Sequence, residues 1–402
     1  MVFCTGEERN FSENMNNLLH LLLLLYSSMY GFLKGEPNFI LLITDDQDLL
    51  LDGMVPMKKT VELIANNGKT FQNAYVNTPI CCPSRSTILT GKYLENTGVV
   101  NNSISGNCSS LAWQQTHEPH SIAALLKNAK NYTTYYSGKY LNQKHWLVRM
   151  YPQHLPENVE ILDSIQQHRL ESLLAVDELV DRIVQKLKVL NIFQETYIIY
   201  TSDNGFHIGQ FSQPWDKRQP YETDIRVPFI VSGPNVPRKT LETFPISSVD
   251  IAPTILDLAG VDIPSSINGK SFKKELLSEK TEPFARFISI SYKGEANQNS
   301  IDTSCPWTYD PNLSECTLDQ WCKCQDSRNN TYQCYIYISD EAIYKYCLFE
   351  DAENFTEAYN LKEDPSELKN IAPKLNSCKY QEKIKVGRFL KCSDESCCYS
   401  SE

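Results

Sequence analysis

Asn38-Phe39-Ile40-Leu41-Leu42-Ile43-Thr44-Asp45-Asp46 is the stretch on which the fold turns. A short run rich in branched apolar side chains reads as a strand buried on both faces, as in a parallel sheet. Two carboxylates follow at its C-terminal end, where open α/β sheets place their sites. The same texture recurs at Tyr197 to Thr201, followed by Ser202-Asp203-Asn204-Gly205, and again at Phe229 to Ser232. Helical patterns lie between these runs, over Lys58 to Asn67, His120 to Ala129 and residues 158 to 191. In the last, Leu170, Leu173, Leu174, Ala175, Leu179, Ile183 and Leu187 fall mainly on one face. A strand over Thr133 to Tyr136 and a helix over Asp250 to Ala259, ended by Gly260, complete the pattern. Strands alternating with helices predict an α/β sandwich with a mainly parallel central sheet.

Composition sets outer bounds. A chain of 402 residues has room for two or three domain-sized units, and 41% hydrophobic content supports a sizeable core. The net charge of -11 argues against a nucleic-acid partner, but not against a polyanion held by local Lys and Arg. Leu18 to Tyr26 is too short to span a membrane and fits the apolar part of a signal peptide, so residues 1–35 read as a targeting segment. No other stretch could span a membrane. Residues 36–280 carry the α/β pattern, and residues 281–402 read as a smaller cysteine-rich domain with an antiparallel sheet.

Ten of the fourteen cysteines lie between Cys305 and Cys398. Leaving aside Cys4 in the leader and Cys81, twelve remain, an even number suited to disulfides in an oxidising compartment. Cys322-x-Cys324 and Cys397-Cys398 do not have zinc-finger spacing, and no histidine follows His207. Six sequons past the leader, at Asn101, Asn107, Asn131, Asn312, Asn329 and Asn354, agree with the secretory route.

The chemistry centres on Cys81-Cys82-Pro83-Ser84-Arg85, continued by Leu89-Thr90-Gly91. Read alone, this is a buried cysteine pair, a turn and a helix. The full run resembles the signature of the type I sulfatases. The resemblance implies an alkaline-phosphatase-like α/β sandwich and oxidation of Cys81 to formylglycine by the formylglycine-generating enzyme. One hydroxyl of the hydrated aldehyde attacks sulfur, and the other lets sulfate leave as the carbonyl re-forms. Asp45/Asp46 and Asp203/Asn204, taken singly, read as turn or cap residues at strand ends. Their hard oxygens suit Ca²⁺ or Mg²⁺. The resemblance makes Asp45, Asp46, Asp203 and Asn204 ligands of one divalent cation, Ca²⁺ in preference to Mg²⁺, with modified Cys81 adding an oxygen. It makes Arg85 the brace of the formylglycine, Lys139 the lysine of the family's Gly-Lys-aromatic motif, and Lys217 the later lysine that binds sulfate and can protonate the leaving alcohol. His207 becomes a proton donor or substrate contact, against the reading of a structural histidine.

Further runs narrow the resemblance to the lysosomal N-acetylglucosamine-6-sulfatase branch. They include Gly106-Asn107-Cys108-Ser109-Ser110, Tyr140-Leu141-Asn142, Thr201 to Ser212, and Asp216-Lys217-Arg218-Gln219. That branch implies removal of the 6-sulfate from N-acetylglucosamine 6-sulfate in heparan or keratan sulfate, in the lysosome or after secretion, with a homodimer as its possible assembly. The chain departs from it near residues 142–145. A central strand and a Pro-His-Ser-Pro-Trp-like loop are missing there, and no Pro-His-x-Pro occurs anywhere. His145 is the nearest substitute. The missing strand predicts an unpaired sheet edge. Two competing expectations follow, a non-catalytic relative that binds sulfated glycans and a phosphoesterase of the same superfamily. Cys81 at the nucleophile position opposes the second.

Overall fold

The computed structural model describes residues 36–141, 158–213, 215–306, 310–318, 322 and 324–374. The leader, His145 and the cysteines from Cys378 onward lie outside the described residues. Strands are numbered along the chain. The central sheet has the order β1-β4-β7-β2-β8, formed by Asn38–Thr44, Thr196–Ser202, Phe229–Ser232, Gly68–Phe71 and Thr240–Glu242. β1 and β4 run parallel, β7 runs against both β4 and β2, and β8 is parallel to β2. Four strands therefore share one direction and β7 opposes them.

Alternation along the strands loads both faces of this sheet. Leu41, Ile199 and Val231 pack on one side, with Ile122, Leu126 and Ile255 of the helices Ile122–Lys130 and Ile251–Leu258. Ile40, Leu42, Ile198 and Tyr200 pack on the other, against Leu173, Val180, Ile183, Val184 and Leu187 of the helix Asn158–Val189. The sheet is thus sandwiched between helical layers, as expected. Leu174, Ala175 and Leu179 depart from expectation, because they face solvent. The buried stripe runs through 173, 177, 180, 184 and 187, and a neighbour of a stripe residue is turned about 100° away from it.

Position 177 of that stripe is a carboxylate. Asp177 accepts from the backbone N–H groups of Lys59 and Thr60 (2.9 and 2.7 Å) and from the Thr60 hydroxyl (2.7 Å), and so caps the helix Lys58–Leu63 from outside. Asp177→Ala is expected to lower unfolding free energy by about 2–3 kcal/mol, the size of hydrogen bonds to a charged group. Urea denaturation checks this.

Thr133 to Tyr136 is not a strand. The segment crosses beside β1 without a ladder, anchored by Tyr132, whose hydroxyl donates to the Pro37 carbonyl, and by Tyr136, which donates to the Lys139 carbonyl. Among the described residues β1 pairs only with β4.

The C-terminal region holds an antiparallel sheet of order β10-β14-β15-β16, formed by Ala285–Tyr292, Tyr332–Ser339, Ile343–Phe349 and Thr356–Asn360. Its inner face shares one core with the first region, where Ile288, Ile290, Ile336 and Ile338 meet Tyr75, Val76, Ile225 and Val227. A three-stranded sheet beside it joins β11 (Asn297–Ile301), β12 (Leu313–Cys316) and β13 (Cys324–Ser327). Two-residue pairs complete the set, β3 (Ala74–Tyr75) with β9 (Ile246–Ser247), and β5 (His207–Ile208) with β6 (Trp215–Asp216). Disulfides join Cys82 to Cys108, Cys305 to Cys322, Cys316 to Cys324 and Cys334 to Cys347. Cys322 and Cys324 enter different bridges, which removes them from zinc chemistry.

The seam between the regions is rich in buried carboxyl groups. Lys345, fully buried, donates to the Pro220 carbonyl (2.6 Å), pairs with Glu367, and lies 3.7 Å from Glu222. Burial, with Glu222 adding to it and Lys345 opposing, raises the Glu367 carboxyl to about 7. Burial likewise raises Glu295 to about 7 and Asp326 to about 6. Each group binds its proton more tightly folded than unfolded. Its stabilising contribution is therefore complete below the ordinary carboxyl range and lost as pH rises through 6 to 7. The urea midpoint is expected to be higher at pH 5.5 than at pH 7.5, and a midpoint that falls on acidification over that window contradicts this.

Candidate active site

The in-register pairing of β1 with β4 ends at Thr44 opposite Ser202. Asp45-Asp46 and Asp203-Asn204 therefore leave the sheet side by side. The Asp203 N–H donates to the Thr44 carbonyl (3.1 Å), the Asp46 N–H donates to Asp203 Oδ1 (3.1 Å), and Asn204 Nδ2 donates to Asp46 Oδ1 (2.6 Å). Asp46 sits in the left-handed region at φ 57°. Arg169 of the long helix holds it there by donating to the Asp46 carbonyl (2.7 Å) and to Asp48 (2.9 Å).

Cys81 opens the helix Cys81–Thr90, which is buried along its whole length. Pro83 suits its first turn, and Gly91, at φ 66°, ends it in the left-handed conformation. The Cys81 thiol points at Asp45 Oδ1, 3.6 Å away. Arg85 lies one turn on, on the same face. Its Nε donates to Asp203 Oδ2 (2.7 Å), its Nη1 donates to the Lys139 carbonyl (2.7 Å), and its Nη2 lies 3.5 Å from Asp45. Ser84 Oγ donates to the Asp203 carbonyl (2.5 Å). Lys139 Nζ donates to both oxygens of Asp45 (2.8 and 2.9 Å), and Lys217 Nζ to both oxygens of Asp46 (2.5 and 2.6 Å).

Three stretches far apart in sequence thus converge with two lysines from other loops. Burial, reinforced by Asp203, Asp46 and Asp45 and opposed by Lys217, pushes the Cys81 thiol up to about 12. Burial acts to raise Asp45, but Lys139, Arg85 and Lys217 hold it well below the usual carboxylate range.

His207 is buried, with Nδ1 3.0 and 3.1 Å from the carboxylate oxygens of Asp224. The β5–β6 ladder sets it opposite Asp216, the neighbour of Lys217. Asp224, Arg169 and Arg218 were not singled out from the sequence for any role. Asp224 stands five residues beyond the run Asp216-Lys217-Arg218-Gln219, and an arginine on a helix carries no signal of what it will brace.

The donor set suits a hard divalent cation. Donor atoms of Asp45, Asp46 and Cys81 lie within 4.8 Å of one another, and Asn204 Oδ1 is buried without a hydrogen-bond partner. Asp203 stands outside that cluster, its Oδ1 accepting from the Asp46 N–H and its Oδ2 from Arg85 Nε.

Comparison with known proteins identifies the family. The sulfatase family model matches residues 37–169 and 141–261. N-acetylglucosamine-6-sulfatase of Homo sapiens is 32% identical over 483 positions, spanning 91% of this chain and 87% of that protein. The chain belongs to the sulfatase family. The Capra hircus N-acetylglucosamine-6-sulfatase is 33% identical over 462 positions, 86% of this sulfatase and 82% of that protein. In fold, the sulfatase is similar to a protein solved with its substrate D-glucosamine-2-N,6-O-disulfate (TM-score 0.57, 18% identity, 87% of this chain and 96% of that one). A phosphonate monoester hydrolase from Silicibacter pomeroyi shares the fold too (TM-score 0.60, 15% identity, 89% and 96%). The alkaline-phosphatase-like sandwich predicted from sequence is therefore the fold, and the sulfatase is a hydrolase of sulfate esters. No helix among its described residues is long and apolar enough to cross a membrane.

Proposed function

We propose that this sulfatase removes the 6-sulfate from N-acetylglucosamine 6-sulfate units of heparan or keratan sulfate in the lysosome, using formylglycine made from Cys81 by the formylglycine-generating enzyme. The observation that carries the reading is the convergence of Cys81 with Asp45, Asp46, Asp203 and Asn204 under three cationic side chains. The curated relatives, both N-acetylglucosamine-6-sulfatases, support the substrate.

Asp45, Asp46, Asp203 and Asn204 would hold a calcium ion. When bound, the cation supplies a Lewis acid that polarises a sulfate oxygen and orients the nucleophile. Arg85 braces the nucleophile helix against Asp203. Lys139 and Lys217 offset the negative charge of the sulfuryl oxygens. Asp224 accepts the Nδ1 proton of His207, which fixes its tautomer and ring orientation, and His207 serves as proton donor or substrate contact. Asp45→Asn or Asp203→Asn is expected to weaken calcium binding by roughly tenfold or more, measured by calorimetry on the full chain. Unchanged affinity in both variants counts against this ligand set.

One observation favours a second reading. Pro-His-x-Pro is absent, and the alignment with the Homo sapiens protein runs over 483 positions, more than the 402 residues of this chain. The departure from the family read near residues 142–145 falls within 141–169, where the two family-model matches overlap. A non-catalytic relative that binds sulfated glycans would fit that loss. Sulfate release from N-acetylglucosamine 6-sulfate by the full chain, beside a Cys81→Ala control, separates the two. Release that vanishes in the control supports the enzyme, and none from folded protein supports the binder.

A further inference from the structure

Lys217 is flanked by two residues that bond to each other across it. Arg218 Nη1 donates to Asp216 Oδ2 (2.5 Å), and the Lys217 side chain leaves this clasp toward Asp46. Arg218 is buried and stands at φ 94°, a left-handed conformation that a non-glycine residue keeps only when its surroundings hold it. What holds it comes from the C-terminal region. Nη1 also lies in hydrogen-bond contact with Gln325 Oε1 (3.2 Å), and Nη2 donates to Glu315 Oε2 (2.7 Å). The Arg218 carbonyl accepts from the Tyr332 hydroxyl (3.0 Å) and from Asn330 Nδ2 (3.3 Å). Glu315 and Gln325 each neighbour a half of the cross-strand disulfide Cys316–Cys324, which keeps β12 and β13 in register.

We propose that Arg218 is a positioning residue for Lys217, and that the small cysteine-rich sheet is thereby part of the sulfate-binding machinery. The inference rests on the reading of Lys217 as a sulfate-binding lysine. A planar guanidinium is what the position requires, because one group must reach Asp216, Gln325 and Glu315 in divergent directions, which a lysine ammonium on a flexible stem does not reproduce.

The test is calorimetric binding of inorganic sulfate to the calcium-loaded full chain, in the wild type, Lys217→Ala, Arg218→Lys and the double variant. Arg218→Lys is expected to weaken sulfate about tenfold, the size of a lost charge-assisted hydrogen bond. In the Lys217→Ala background it should add nothing, since the two residues act as one unit. Sulfate affinity unchanged by Arg218→Lys, or a loss that persists in the Lys217→Ala background, overturns the proposal alone. Wild-type affinity in Lys217→Ala, or no sulfate binding by the wild type, overturns the Lys217 reading and this inference with it. Should Arg218→Lys fail to fold, Glu315→Gln at a half-exposed carboxylate takes its place. About threefold weaker sulfate is then expected from loss of one partner, and no change overturns the proposal.

Discussion

Replacing Cys81 by serine is expected to lower sulfate release from N-acetylglucosamine 6-sulfate by roughly 10⁴-fold or more, with little change in the unfolding midpoint. Serine is nearly isosteric with cysteine, and the thiol's contact with Asp45 is long enough at 3.6 Å that its loss costs the fold little. Chemistry is where the two side chains part. A serine hydroxyl can accept the sulfuryl group, but it has no second oxygen through which a carbonyl could re-form and expel sulfate. The variant should therefore stall after transfer, leaving a sulfated serine that peptide mass spectrometry would detect. Multiple turnover at the wild-type rate would sink the formylglycine mechanism. Collapse of the unfolding midpoint would instead place the role of Cys81 in packing.

The second large effect is expected at Arg85. Its guanidinium is almost wholly buried and meets Asp203, which is fully buried, at 2.7 Å. Arg85→Ala leaves that carboxylate facing Asp45 and Asp46 with its main cation gone. Removing one partner of a buried ion pair typically costs about 3–5 kcal/mol. A loss of that size is expected in denaturant titrations run in the presence of a chelator. Saturating calcium should restore part of it, because a cation held by the same carboxylates replaces the missing positive charge. A loss below about 1 kcal/mol, the level of an exposed pair, would show that Asp203, whose carboxyl burial already raises to about 6, takes up a proton or meets water once Arg85 is gone.

Much of this architecture was legible from the chain because burial and periodicity are local. Asn38 to Thr44 reads as a buried strand and is one, and acidic pairs at the ends of two such strands meet when the strands are parallel neighbours, as β1 and β4 are. The limits were physical too. Leu174 and Leu179 are apolar, but a helix face is narrower than the set of apolar residues on it. Thr133 to Tyr136 has strand composition, but a strand exists only where a neighbour offers hydrogen bonds. The direction of β7 depends on a crossover that no residue in Phe229 to Ser232 encodes. Motif reading pointed to Lys217 and could not point to Arg218, whose role depends on Glu315 and Gln325 about a hundred residues away.

The disulfide between Cys82 and Cys108 carries a consequence for how active molecules arise. Cys81 and Cys82 are adjacent, and in an oxidising compartment both thiols compete for Cys108. The two possible rings differ by one residue, so chain entropy barely distinguishes them. The choice falls to the signature helix, which sends Cys82 into the pocket with Cys108 and Trp113 and turns Cys81 toward Asp45. A molecule that oxidises before this helix is set can form the wrong ring and lock away Cys81, the side chain that the proposed mechanism converts. Such an isomer would have the same mass as the unmodified chain and no catalytic centre. The specific activity of a secreted preparation would then record the outcome of a race between neighbouring thiols, fixed before any substrate is met.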